Sequence, residues 1–212
     1  MKLKTPYLII AQGLLFLLFL VITAWFNRFS SDDFYFIGEL RTKSFSEVYH
    51  HLYYNWHGRW TSNVSELISF KFYDIPYILF FYNLLTFTIV TTGIHQLFSV
   101  LNRKYNLLFS KNQLISYSLI FLSILFFCSF TPSSTWFWHT STVVYLWGIA
   151  AFLWCISRII SNTKSIADYF ILIVTGIYFG GAYEPLAMIS LLLLFYIFLK
   201  DRTNKKALLG FI

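Results

Sequence analysis

The chain has 212 residues, 58% hydrophobic and 22% aromatic, with only 12% charged and a formal net charge of +7. Soluble domains carry about 25% charged residues, so a soluble fold could not cover its surface with this complement. The composition therefore implies an all-α integral membrane helical bundle. The 16 Lys and Arg are scattered among connecting segments, which excludes a nucleic-acid-binding stripe.

Taken in chain order, about six transmembrane helices are expected, each near the length needed to cross ~30 Å of hydrocarbon. The first covers residues 6–26, and its basic start resembles a signal peptide. It is too long and lacks a small-x-small cleavage site, so a retained anchor is expected. A long polar but aromatic loop, 27–75, follows. Later spans are expected at 76–101, 114–130, 142–160, 169–182 and 185–199. The last two are short and meet at Tyr183-Glu184, as either a re-entrant hairpin or two tilted spans. Cys128 and Cys155 both fall in apolar runs, so no disulfide framework is expected.

Eleven basic residues fall on one side of this arrangement: Lys2, Lys4, Arg103, Lys104, Lys111, Arg158, Lys164, Lys200, Arg202, Lys205 and Lys206. The other five, Arg28, Arg41, Lys43, Arg59 and Lys71, all lie in the long loop. The positive-inside rule then places both termini in the cytoplasm and the loop outside, across a plasma membrane of bacterial inner-membrane type.

Within the loop, Ser44 and Glu47 form a capping-box pattern. Phe45, Val48, Tyr49, Leu52, Tyr53 and Trp56 then recur at helical spacing. This predicts an interfacial amphipathic helix with its aromatic face in the headgroups, broken at Gly58. A second interfacial helix is expected over Ser62–Phe72, with Val64, Leu67, Ile68 and Phe72 toward the membrane.

Two acids, Asp32 and Asp33, stand where the chain leaves the first span. Capping by Ser30 or Ser31 with acids in a first helical turn explains one of them. Adjacent carboxylates resist ionising together, and such a pair can share or shift a proton. Glu184 is the lone acid of the last hairpin, set between Gly180-Gly181 and Pro185. An idle charge at depth is costly, so a role is expected, with Arg59 or a substrate hydroxyl as partner. Trp60, Trp136 and Trp138 suit either sugar stacking or an aromatic belt. His57 and His139 stand near the same outer loops. His50 and His51 point in different directions on one helix, which does not suit one metal. No P-loop, glycine-rich dinucleotide turn or His-Glu-x-x-His occurs. The sequon Asn63-Val64-Ser65 is of a kind common by chance.

With one span, then Ser31-Asp32-Asp33, then a long loop with two juxtamembrane helices, the chain resembles the GT-C superfamily of polytopic membrane glycosyltransferases. The stretch Tyr54–Trp60, with Trp56-His57-Gly58-Arg59, looks like the W-x-G-R element of some bacterial members. The resemblance implies sugar transfer from a polyprenyl-phosphate donor to an acceptor at the outer face. Asp32 or Asp33 would then be the catalytic base, or hold a divalent metal ion if one is used. It further implies that Arg59, Trp60, His57, Trp138, His139 and Glu184 bind substrate. Members continue through further spans, whereas this sequence ends at Gly210-Phe211-Ile212, so an N-terminal module of a longer enzyme is expected. A reading from another class is a non-catalytic membrane protein: a transporter subunit, an assembly partner with a further membrane subunit, or an inactive glycosyltransferase module. Few ionisable groups within the spans, His95 apart, argue against transport.

Overall fold

The computed structural model describes residues 5–161 and 165–200. Lys2, Lys4, Lys164, Arg202, Lys205, Lys206 and the terminal Gly210-Phe211-Ile212 lie outside the described residues. All regular structure among the described residues is helical, in ten α-helices: α1 (Thr5–Trp25), α2 (Asp32–Thr42), α3 (Phe45–His51), α4 (Trp60–Phe70), α5 (Ile78–Tyr105), α6 (Lys111–Phe127), α7 (Pro132–Phe137), α8 (His139–Ile160), α9 (Ile166–Ala182) and α10 (Glu184–Lys200).

Helices α1, α5 and α8 are long and apolar enough to cross a membrane. The apolar helices α6, α9 and α10 have 17 residues each. Seventeen residues rise about 26 Å, short of the ~30 Å of a typical hydrocarbon core. Three of the six expected spans thus meet the length for a perpendicular crossing.

Helix α8 organises the bundle, because both of its apolar faces are occupied. One core joins it to α1, α5 and α6 through Leu20, Val90, Ile94, Leu122, Trp136 and Leu146. The other joins it to α9 and α10 through Cys155, Ile159, Leu172, Phe179 and Leu194. Small residues allow close approach between helices, as is common where lipid and core are equally apolar. A Cβ on Gly13 would fall 2.6 Å from Leu119, so only glycine lets α1 and α6 pack this tightly.

Residues 27–75 form a small helical unit with its own core. Phe36 and Ile37 of α2, Val48 of α3, Leu52 and then Leu67 and Phe70 of α4 are all buried together. Here the structure corrects two expectations. The aromatic face of α3 does not lie open for headgroups; Phe45, Val48, Tyr49 and Leu52 pack on this core. Helix α4 is not covered by lipid or solvent over its polar face, since Thr61, Ser62, Asn63, Glu66, Leu67, Ser69 and Phe70 are all buried in protein. It is wedged between α2 and α3 on one side and α8 and α9 on the other. Of the four residues expected at the membrane, Ile68 and Phe72 are exposed, whereas Leu67 is not.

The Ser44–Glu47 capping box forms in full, with the Ser44 side chain accepting from Glu47 N–H and Glu47 accepting from Ser44 N–H. After His51 the helix widens into a π-helical turn, Leu52–Trp56, that ends just before His57 and Gly58. Such turns recur at functional sites. This one delivers His57, Gly58 and Arg59 to the head of α4.

Candidate functional site

The two acids at the start of α2 have different surroundings. Asp33 is fully buried. Its Oδ1 accepts from the Thr140 backbone N–H at 3.1 Å and the Thr140 hydroxyl at 2.7 Å. Its Oδ2 accepts from the Ser30 N–H at 3.0 Å. The carboxylate therefore holds the first turn of α8, where a helix end favours negative charge, and ties α2 to it. Burial pushes its pKa up, against the pull of those three donors and helped by Asp32 beside it. Ser31 makes no side-chain cap; the capping seen at this helix start comes from Asp33 instead.

Asp32 is half-buried, and nothing among the described residues hydrogen-bonds its carboxylate. Ser31, immediately before it, has φ 46°. A non-glycine residue in that region stores backbone strain, which tends to collect at functional positions. Of the pair, Asp33 is engaged in structure, whereas Asp32 makes no such tie.

Arg59 and Glu184 come together across the fold. Arg59 Nε donates to both carboxylate oxygens of Glu184, at 3.2 and 3.1 Å, and the guanidinium lies 5.6 Å from the Tyr183 ring centroid. The Glu184 side chain is 57% exposed from the protein, and Arg59 supplies the partner its charge was expected to need. An exposed pair of this kind adds at most about 1 kcal/mol to stability. Its value is positional. Only Nε is spent on Glu184, and the two Nη groups carry no hydrogen bond to the described residues.

Close packing brings α4 onto α9 beside this pair. A Cβ on Gly181 would stand 2.5 Å from the Trp60 ring and 2.9 Å from Thr61, and the Thr61 hydroxyl donates to the Tyr178 carbonyl at 2.7 Å. Gly181→Ala should therefore push Trp60 off α9, at a cost of about 1–3 kcal/mol typical of overpacking. A lowered melting temperature with shifted tryptophan fluorescence is the expected readout; an unchanged protein would contradict the packing.

The other expected ligands divide. His57 is half-buried, its Nδ1 has no partner, and burial followed by the Arg59 charge lowers its pKa, favouring the neutral ring. Trp60 keeps 42% of its surface exposed while one part lies on Gly181. Trp138 is half-buried with its indole N–H unpartnered. His139, expected to line a pocket, is instead a core aromatic. It stacks on Tyr82 at 4.7 Å and meets Phe70 edge-on at 5.2 Å. Trp136 is wholly buried and donates to Ser129, so it has no face for a sugar. Asn63 of the sequon is buried as well.

Glu66 was not singled out by the sequence, and it lies at the centre. It is fully buried in α4, and neither carboxyl oxygen has a partner. Burial raises its pKa well above the ordinary value of 4.5; Arg59 opposes this, and Asp33 and Asp32 add to it. Those interactions place the acid pair and Arg59 within electrostatic reach of one buried carboxyl. The sign for stability follows from proton binding. Because the folded state holds this proton more tightly, stability is highest below pH about 4.5 and declines as pH rises toward the raised folded value. Glu66→Gln should flatten that decline in a melting-temperature profile, and an unchanged slope would contradict it.

Among the described residues no three His, Cys, Asp or Glu side chains group as a metal-binding set. Asp33 has three donors on its oxygens already. The residues present do not fit a metal held by the protein alone. No family model, curated protein or solved structure matches the chain. What the fold and site define is an all-helical protein with three helices able to cross a membrane and a cluster of polar and charged side chains between α2, α4, α8 and the α9–α10 corner.

Proposed function

We propose that the chain is a membrane glycosyltransferase of the GT-C kind, which transfers a sugar from a polyprenyl-phosphate donor to an acceptor hydroxyl at the outer face. The observation that supports this best is the division of labour at the site. The Asp32 carboxylate has no hydrogen-bond partner among the described residues, and Arg59, held through Nε by Glu184, keeps its Nη groups uncommitted. In this reading α6, α9 and α10 also cross the membrane, with the bilayer thinned locally around them, and both termini are cytoplasmic.

Asp32 takes the proton from the acceptor hydroxyl as its oxygen attacks the anomeric carbon. The bond from that carbon to the donor phosphate breaks, and the phosphate leaves with the electron pair. Arg59 offers its Nη donors to the phosphate as charge develops there, while Glu184 fixes the guanidinium plane through Nε. Phosphate is already a good leaving group, so positioning and one base are sufficient. His57 beside the pair stays neutral and adds no competing charge.

The test is turnover of polyprenyl-phosphate sugars by the purified full chain in detergent. Release of polyprenyl phosphate supports the reading, and neither binding nor release by the wild type sinks it. One observation favours a second reading, a non-catalytic membrane partner: Asp33 is wholly committed to holding α2 on α8.

A further inference from the structure

Ser62, Asn63 and Glu66 of α4 are each fully buried. None of their side-chain oxygens has a hydrogen-bond partner, and neither does the Asn63 amide nitrogen. Native proteins leave few buried polar groups unpaired, because each forfeits its hydration without replacement. Five such atoms on consecutive turns of one helix call for a specific cause.

Glu66 lies four residues after Ser62 and three after Asn63, so both side chains adjoin it on the helix surface. Phe70, one turn beyond Glu66, meets His139 edge-on, and the Tyr82 hydroxyl donates to the Ser69 carbonyl. Helix α4 packs here against α8 and α9, and Glu66 acts electrostatically on Tyr178 of α9. Asn83 Nδ2 of α5 and His139 Nε2 of α8 also lack partners.

We propose that this face of α4 binds the hydroxyl groups of a sugar, with Ser62, Asn63 and Glu66 as its donors and acceptors. A sugar hydroxyl both donates and accepts, and so do an amide, a hydroxyl and an un-ionised carboxyl group. A protein-caged metal ion is disfavoured by the ligand set. Burial keeps the proton on Glu66, which suits a neutral ligand. The inference rests on the glycosyltransferase reading for its choice of sugar over other polyols.

The experiment follows thermal unfolding of the full chain in detergent with free glucose, galactose, mannose or N-acetylglucosamine. Wild type, Glu66→Gln and Glu66→Leu are compared. At least one sugar should raise the wild-type midpoint. Glu66→Gln, which keeps a donor and an acceptor, should retain binding within about threefold. Glu66→Leu should melt higher than wild type without sugar, because an unpaired buried group is gone, and should bind about tenfold or more weakly. The inference is overturned if no sugar shifts the wild type, if Glu66→Leu responds as the wild type does, or if Glu66→Leu melts lower. A sugar response without donor turnover retains this site and removes the glycosyltransferase reading. Donor turnover with no sugar response does the reverse.

Discussion

Replacing Asp33 with alanine lowers the stability of the protein by about 3–5 kcal/mol, the range for breaking one side of a buried charged interaction. The carboxylate accepts three hydrogen bonds from inside the fold. Its loss leaves the Thr140 and Ser30 backbone N–H groups without the acceptor they have in the fold. It also removes the negative charge at the start of α8. Because Thr140 lies 107 residues away in sequence, the bond is a tertiary strap, and cutting it frees α2 from the helix that organises both apolar cores. A typical domain is stable by only 5–15 kcal/mol, so the loss is large. Thermal unfolding in detergent and limited proteolysis within 27–75 measure it. A variant that melts with the wild type and resists protease equally would show that the strap is dispensable.

Asp32→Asn has the opposite profile: donor turnover falls by about 10²–10⁴, the usual contribution of a general base, while the melting temperature stays within about a degree. No hydrogen bond to the described residues is lost, because the Asp32 carboxylate makes none. The amide cannot take the acceptor's proton at neutral pH, yet it matches the carboxylate in size. Retained turnover in this variant would remove Asp32 as the base, whatever the fate of the enzyme reading.

Much of the architecture was legible because lipid-length apolar runs need no tertiary context. The expected spans at 6–26 and 142–160 correspond to α1 (Thr5–Trp25) and α8 (His139–Ile160), and the apolar runs behind α6, α9 and α10 were placed within a few residues. What the sequence did not show was which side of an amphipathic helix faces inward. In a membrane protein lipid and core are both apolar, so the periodicity of α4 located its faces without orienting them. Its polar stripe of Ser62, Asn63, Glu66 and Ser69 was readable at i, i+1, i+4 and i+7, and that was the available sign of Glu66. Helix α2 lacked any apolar periodicity, and only the serines and acids of Ser30-Ser31-Asp32-Asp33 marked its start.

The pairs fared differently for a physical reason. Arg59 and Glu184 are isolated charges in aromatic or apolar settings, so each needed a partner and few were on offer; the ion pair closes 125 residues of separation. The bond from Asp33 to Thr140 had no such marker, since threonine at a helix start is ordinary. His139 and Trp136 carried the signature of a binding loop, but α7 and the first turn of α8 fold them into cores.

The sharpest measurement sets Asp32→Asn beside Asp33→Asn in the same detergent preparation, reading polyprenyl-phosphate release and melting temperature together. The account predicts a crossed result: Asp32→Asn melts with the wild type and does not turn over donor, and Asp33→Asn melts markedly lower. Wild-type protein that releases no polyprenyl phosphate, or an Asp32→Asn variant that turns over donor as the wild type does, would contradict it.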